Sequence, residues 1–204
     1  MRGEELTAEL VLLGTMQGAF PMTDFDDSVN WYRPNERCLF PIEGIHVSRS
    51  LAKTLRKVPF EVTFDQAFDD VIRGCLRPPG ENWLSEHFFR AYGEAHRQGW
   101  AHSCEVWLDG ELVGGIYGTA IGAVFSAESM FHRRNDMSKV ALKHLVDRCR
   151  ELGFAVFDAQ IMNPHLASLG AFSISDLEYE QLLRRHMVQQ TAWGADVRSL
   201  LRPD

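Results

Sequence analysis

With 204 residues, 45% hydrophobic and 24% charged, the chain has the composition of an ordinary globular domain long enough to bury a substantial core. No apolar run approaches the ~20 residues that span a bilayer, MRGEELTAEL lacks a signal-peptide core, and Cys38, Cys75, Cys104 and Cys149 are dispersed without C-x-x-C spacing. These features point away from a membrane protein, a disulfide scaffold and a zinc site and toward a reducing, cytoplasmic setting, while the net charge of −7 argues against a generic nucleic-acid coat and leaves room for a local basic patch.

The first predicted element is a helix over 7–19 that opens at Thr7, with Ala8, Leu10 and Leu13 available for one face. The segment TDFDDSVNWYRPNER is rich in turn formers and reads as loop, its Asp24, Asp26 and Asp27 as a solvated acidic stretch. A short helix over 48–57 and a strand over 60–64 come next. Residues 65–76 read as a helix capped by Asp65, with Ala67, Phe68, Val71, Ile72 and Cys75 at helical spacing. A helix over 85–98 starts at Ser85 and stops at Gly99.

From there the apolar period changes to two. SCEVWLDGELVGGIYGTAIGAVFSAE predicts three strands, the first two joined by Asp109-Gly110, a strong hairpin signal. A strand over 123–128, a helix over 138–152 and a strand over 154–161 make one right-handed β-α-β unit, so its two strands run parallel. SDLEYEQLLRRHM opens a last helix with a capping box of Ser175 and Glu178. The predicted class is α+β: a mostly antiparallel sheet with one parallel pair.

The strand FAVFDAQI carries Asp158 and Gln160 inside its apolar run. Alternation places both on one face with Val156, opposite Phe157, Ala159 and Ile161. Buried polar side chains in such a place are hydrogen-bonded, either tying down the next loop or serving chemistry. Glu128 ends the neighbouring parallel strand, and ligands gather at the carboxyl ends of parallel strands, so Glu128, Asp158 and Gln160 are expected to converge on one cleft. The eight histidines show no metal-ligand spacing, and His165 is read as ordering a loop. No Ser-His-Asp or Cys-His arrangement stands out.

An antiparallel meander followed by strand-helix-strand resembles the N-acyltransferase fold of the Gcn5-related (GNAT) type. Ordinary members hold coenzyme A on a glycine-rich loop at the start of the helix, where backbone N–H groups bind the pyrophosphate. The stretch here is HRRNDMSK, without glycine. More specifically, GAFPM, WYRPNER, IHVSRS, AHSCEVW, GGIYG, FSAESMF, Gln160, Asn163 and ASLGA, in this order over about residues 6 to 183, are similar to leucyl/phenylalanyl-tRNA–protein transferases. Departures are Tyr32 and Arg33 in the family's W-W-S-P-x-x-R, Ala127 and His132 in G-E-S-M-F-S, and a largely missing N-terminal segment.

The resemblance implies residues 1–62 as a shortened N-terminal subdomain and 63–204 as a GNAT-like aminoacyltransferase domain. It implies transfer of Leu, Phe or Met from aminoacyl-tRNA to the amine of proteins beginning with Arg or Lys, without coenzyme A, metal or another cofactor. Asp158 is then expected to polarise or accept a proton through Gln160, and Glu128 to attract the cationic acceptor. Trp83, Ile116, Phe125, Leu142, Leu145 and Trp31 correspond to the aminoacyl pocket, although Leu142 and Leu145 fit plain core packing equally well. Arg49, Lys53, Arg56 and Lys57, at helical spacing away from Leu51 and Leu55, would bind the tRNA, with Arg33, Arg133 and Arg134 as weaker candidates; a solvated helix face is the other reading. Two alternatives stay open: an acyltransferase with another acyl or aminoacyl donor, and a non-catalytic tRNA- or degron-binding relative.

Overall fold

A computed structural model describes residues 6–23, 28–76 and 86–197. Trp83, the expected cap Ser85 and the acidic Asp24, Asp26 and Asp27 lie outside the described residues. Helix α1 (Ala8–Met16) opens as expected, with Thr7 accepting a hydrogen bond from the Leu10 amide. Its buried face is Ala8, Val11, Leu12 and Thr15, one i, i+3, i+4, i+7 stripe, rather than one containing Leu10 and Leu13; Leu13 is exposed. The segment read as loop contains a strand, β2 (Val29–Tyr32), which pairs with β1 (Phe20–Thr23) just before it as a small antiparallel sheet, and at its end begins β3 (Glu36–Phe40), which leaves for the main sheet.

Next come α2 (Arg49–Lys57), capped by Ser48, β4 (Glu61–Phe64), α3 (Phe68–Gly74) and α4 (Glu86–Arg97). Asp65 does not cap α3. Its backbone is left-handed (φ 59°), and its carboxylate instead accepts from the Ser103 amide and meets the His102 ring at 2.8 Å, so α3 begins only at Phe68. Strands β5 (Ala101–Leu108), β6 (Glu111–Ile121) and β7 (Val124–His132) form the expected meander, and Asp109 and Gly110 both take the positive φ of a tight hairpin turn. The chain continues through α5 (Met137–Glu151), β8 (Val156–Gln160), α6 (Pro164–Ser168), β9 (Phe172–Ser175) and α7 (Asp176–His186), the last with the Ser175–Glu178 capping box.

The seven-stranded sheet has the order β4-β5-β6-β7-β8-β3-β9, antiparallel throughout except for the expected β7–β8 pair joined through α5. β3 lies between β8 and β9, and β4 spans residues 62 and 63, so segments on both sides of that position share the seven-stranded sheet. One face of the sheet packs on α2 and α5 through Phe125, Leu142, Leu145 and Phe157. The other is covered by α1, α3 and α4 on the β5–β7 side and by α7 on the β8–β3 side. All four cysteines are buried and free, and no described helix is long and apolar enough to cross a membrane.

Two irregularities open the sheet near its middle. The register of β6 and β7 slips between Tyr117↔Ser129 and Gly118↔Ala127, which leaves Glu128 as the extra residue of a β-bulge in mid-strand rather than at a strand end. Gly118 makes this possible: a Cβ there would stand 2.2 Å from the Ser126 carbonyl oxygen. The parallel ladder of β7 and β8 ends at Ser126↔Asp158, and beyond that pair a cavity opens between the strands.

Candidate active site

The cavity has a volume of about 780 Å³ and is lined by β1, the ends of β7 and β8, the first turns of α5, and α6. Its walls are mainly apolar: Phe20, Met22, Phe40, Ile116, Met130, Leu142, Phe157 and Leu166. Into this lining project Glu128 and Gln160, whose amide Nε2 donates to Glu128 Oε2 at 2.8 Å. That side-chain bond bridges the two strands where their main-chain ladder has stopped.

Asp158 is elsewhere. The expected common face with Gln160 fails because Gln160 has a left-handed backbone (φ 64°), which carries its side chain over to the Phe157–Ala159 face and into the cavity. Asp158 stays on the opposite face, fully buried beneath α7. Its Oδ1 accepts from Arg37 Nε (2.8 Å) and from the Gln160 amide (2.8 Å). Its Oδ2 accepts from Arg37 Nη2 (2.6 Å), the Tyr179 hydroxyl (2.9 Å) and Ser126 Oγ (3.1 Å). Five donors converge on this carboxylate, which meets Gln160 through the main chain instead of the side-chain amide. Burial works against the Arg37 charge, but the adjoining Asp158 carboxylate, with Tyr179 and Glu128, more than offsets it and holds the guanidinium above its usual value. Burial, reinforced by Asp158, likewise raises the Tyr179 phenol.

Glu128 has the opposite environment. Burial drives its carboxyl from 4.5 up to about 7, with the Asp158 charge pushing the same way and hydrogen bonds from Gln160 and Tyr92 resisting. Behind it the Tyr92 and Tyr117 rings meet edge to face, and the buried Tyr117 hydroxyl has no hydrogen-bond partner among the described residues. A raised acid pKa weakens the fold. Between about pH 4.5 and 7 the unfolded chain gives up this proton while the native state keeps it, so stability falls as pH rises through that window. The full cost, on the order of 3 kcal/mol, is present above pH 7. Glu128→Gln is therefore expected to gain stability over wild type as pH rises from 4.5 to 7 and to match it below, as paired urea titrations at pH 4, 6 and 8 can check.

Of the other expected pocket residues, Ile116 and Leu142 line the cavity. Phe125 and Leu145 are fully buried one layer deeper, where Phe125 stacks on the lining Phe157 at 5.3 Å. Trp31 lies in β2 with its ring against Gly14 of α1, where an added Cβ would stand 1.9 Å from it, and is not part of the lining. His165 is not a loop residue: it sits in α6 on the cavity rim with His132 and Ser138, and burial, Lys139 and His132 lower its pKa. Arg49, Lys53, Arg56 and Lys57 all project from α2 into solvent, and none has an ion pair among the described residues. Arg33, in contrast, is held by Asp176 and Glu180, and Arg133 caps the Leu112 carbonyl. No cluster of metal-ligating side chains occurs among the described residues.

Sequence reasoning passed over Arg37, Tyr92 and Tyr179. The one signal was Arg37 itself, a charge heading the apolar run CLF and so prone to burial with a partner.

A family model described as leucyl/phenylalanyl-tRNA protein transferase matches residues 39–184. Among curated relatives, the leucyl/phenylalanyl-tRNA–protein transferase of Ruegeria pomeroyi is 46% identical over 182 residues, covering 88% of this chain and 86% of that protein. The one of Herpetosiphon aurantiacus is 44% identical over 181 residues, covering 88% and 94%. The one of Paramagnetospirillum magneticum is 44% identical over 193 residues, covering 92% of each. A solved ribosomal-protein-alanine N-acetyltransferase from Brucella melitensis biovar Abortus 2308 aligns at a TM-score of 0.32 and 14% identity over 45% of this chain and 73% of that one, too remote a likeness to carry an argument.

Proposed function

This chain belongs to the leucyl/phenylalanyl-tRNA–protein transferase family, and from that premise we propose that it moves Leu, Phe or Met from aminoacyl-tRNA to the α-amine of proteins beginning with Arg or Lys. Such a product is a marked N-terminus, so the reaction belongs to N-degron formation and protein degradation in the cytoplasm. The observation that carries the reading is an apolar cavity ending on a carboxylate–amide pair, Glu128 and Gln160. The sheet, with its single splayed parallel pair, fits a GNAT-type fold, and the glycine-free turn before α5 fits a donor other than coenzyme A.

The aminoacyl side chain occupies the apolar lining, where Ile116, Leu142 and Phe157 select by size and tolerate several side chains, since one methylene in such a pocket is worth only ~1–3 kcal/mol. The acceptor amine attacks the ester carbonyl, the N–C bond forms, and the bond from that carbon to the tRNA 3′-oxygen breaks. Glu128 takes the proton the amine sheds and returns it to the departing 3′-oxygen; a carboxyl near pH 7 is matched to an α-amine of pKa ~7.7–8.0. Gln160, neutral throughout, orients Glu128 through Nε2 and offers its carbonyl oxygen to the incoming N–H. Asp158 holds the Gln160 main chain rather than moving a proton.

The test is transfer of radiolabelled Leu and Phe from charged tRNA to peptides starting with Arg, Lys or Glu. Transfer to Arg and Lys peptides alone, undiminished by free coenzyme A, supports the reading; transfer to the Glu peptide overturns the acceptor assignment, and absence of transfer overturns the reaction. The α2 cations supply the tRNA contact. Lys53→Gln/Arg56→Gln is expected to weaken tRNA binding and flatten the plot of log affinity against log salt by about 0.7–0.9 per charge removed, measured by filter binding between 50 and 200 mM salt.

A further inference from the structure

Arg37 sits outside the cavity, 2% exposed, yet its guanidinium touches two parts of the site at once. Through Nε and Nη2 it grips Asp158 in a two-point fork, and Asp158 Oδ1 in turn accepts the Gln160 amide N–H. Gln160 is one of only four non-glycine residues with positive φ among those described, a conformation that strains a side-chain-bearing residue and persists where neighbours impose it. That conformation is what aims the Gln160 amide at Glu128. Through Nη1 the same guanidinium donates to the Gly18 carbonyl at 2.8 Å, and its Cζ lies over the rings of Phe20 (5.1 Å) and Tyr179 (4.5 Å). Phe20 is itself a wall of the cavity. One buried side chain thus joins the strand that carries the reactive amide to the strand that closes the pocket.

We infer that Arg37 is a positioning residue for aminoacyl transfer, fixing the left-handed turn at Gln160 and the β1 wall simultaneously without touching substrate. The inference rests on Glu128 and Gln160 being the reaction centre. Lysine cannot replace it, since an ammonium lacks the fork that reaches Asp158 with two bonds and Gly18 with a third.

Kinetics per folded molecule decide the matter, with Arg37→Lys, Arg37→Ala and the charge-free pair Arg37→Met/Asp158→Leu measured beside wild type and Glu128→Gln. The expected result is a kcat lowered about 10²-fold in all three Arg37 variants, from a misplaced reacting group, with KM for aminoacyl-tRNA changed less than about threefold. Millimolar guanidinium, but not ammonium, is expected to restore part of the kcat of Arg37→Ala. Tyr179→Phe, which removes one donor from Asp158 and leaves the charge pair intact, should fold normally and lose kcat several-fold. Wild-type kcat in the folded Arg37→Met/Asp158→Leu protein, or in the folded fraction of Arg37→Lys, overturns the inference and leaves Arg37 a structural ion-pair partner only. Wild-type kcat in Glu128→Gln overturns the assignment of the reaction centre instead, whatever the Arg37 variants do.

Discussion

Glu128→Gln is expected to slow aminoacyl transfer by roughly 10²–10⁴-fold, the range for loss of a general base. Gln keeps the shape of the side chain and a hydrogen bond to Gln160 while removing the site that accepts the proton. In wild type the rate should climb with pH through about 7, as Glu128 ionises, and climb further as the acceptor amine loses its proton. In the variant the lower limb should vanish and only the amine limb remain. Single-turnover rates from pH 5.5 to 9 with a peptide acceptor supply the measurement. An effect confined to KM for the acceptor, with kcat and pH profile intact, would instead make Glu128 an electrostatic docking group for the cationic N-terminal residue.

Asp158→Leu carries the largest expected loss of stability, about 3–5 kcal/mol, because it strands the fully buried Arg37 without its counter-charge. Against the 5–15 kcal/mol that holds a typical domain together, this would leave a substantial unfolded population. Most of the loss should return when Arg37 is made Met as well, since a buried ion pair exchanged whole for apolar groups is often neutral. Urea midpoints of the two singles and the double variant give the coupling energy directly. Recovery of stability without recovery of turnover would separate the two duties of this pair, supporting the strand and aiming Gln160.

What was legible in the sequence is what local chemistry determines. Thr7, Ser48 and the Ser175–Glu178 box cap helices within one turn of themselves, and Asp109-Gly110 sets its hairpin alone. The parallel pair came from the helix between its strands. By contrast, β1, β2 and β3 were hidden among turn formers, and only partners distant in sequence make them strands: Cys38 pairs with Gln160 on one side and Ser173 on the other. Glu128 and Gln160 were placed in the site, but the alternation of strand faces put Asp158 there too. A non-glycine residue with positive φ is uncommon enough that no pattern forecasts the crossover at Gln160. Leu142 and Leu145 share a helix face, and which of them reaches the cavity is decided by where β7 and β8 part, a tertiary fact.

The place of β3 between β8 and β9 also sets a timetable. Residues 36–40 leave the ribosome more than a hundred residues ahead of both of their neighbours, β8 and β9. At 5–20 residues per second that interval is on the order of ten seconds, during which the apolar Cys38-Leu39-Phe40 has two bare edges and no sheet to join. The nascent polypeptide is therefore exposed to misassociation through this segment until β8 and β9 follow it. The candidate site comes together only once β8 has joined the β1 and β3 made well before it.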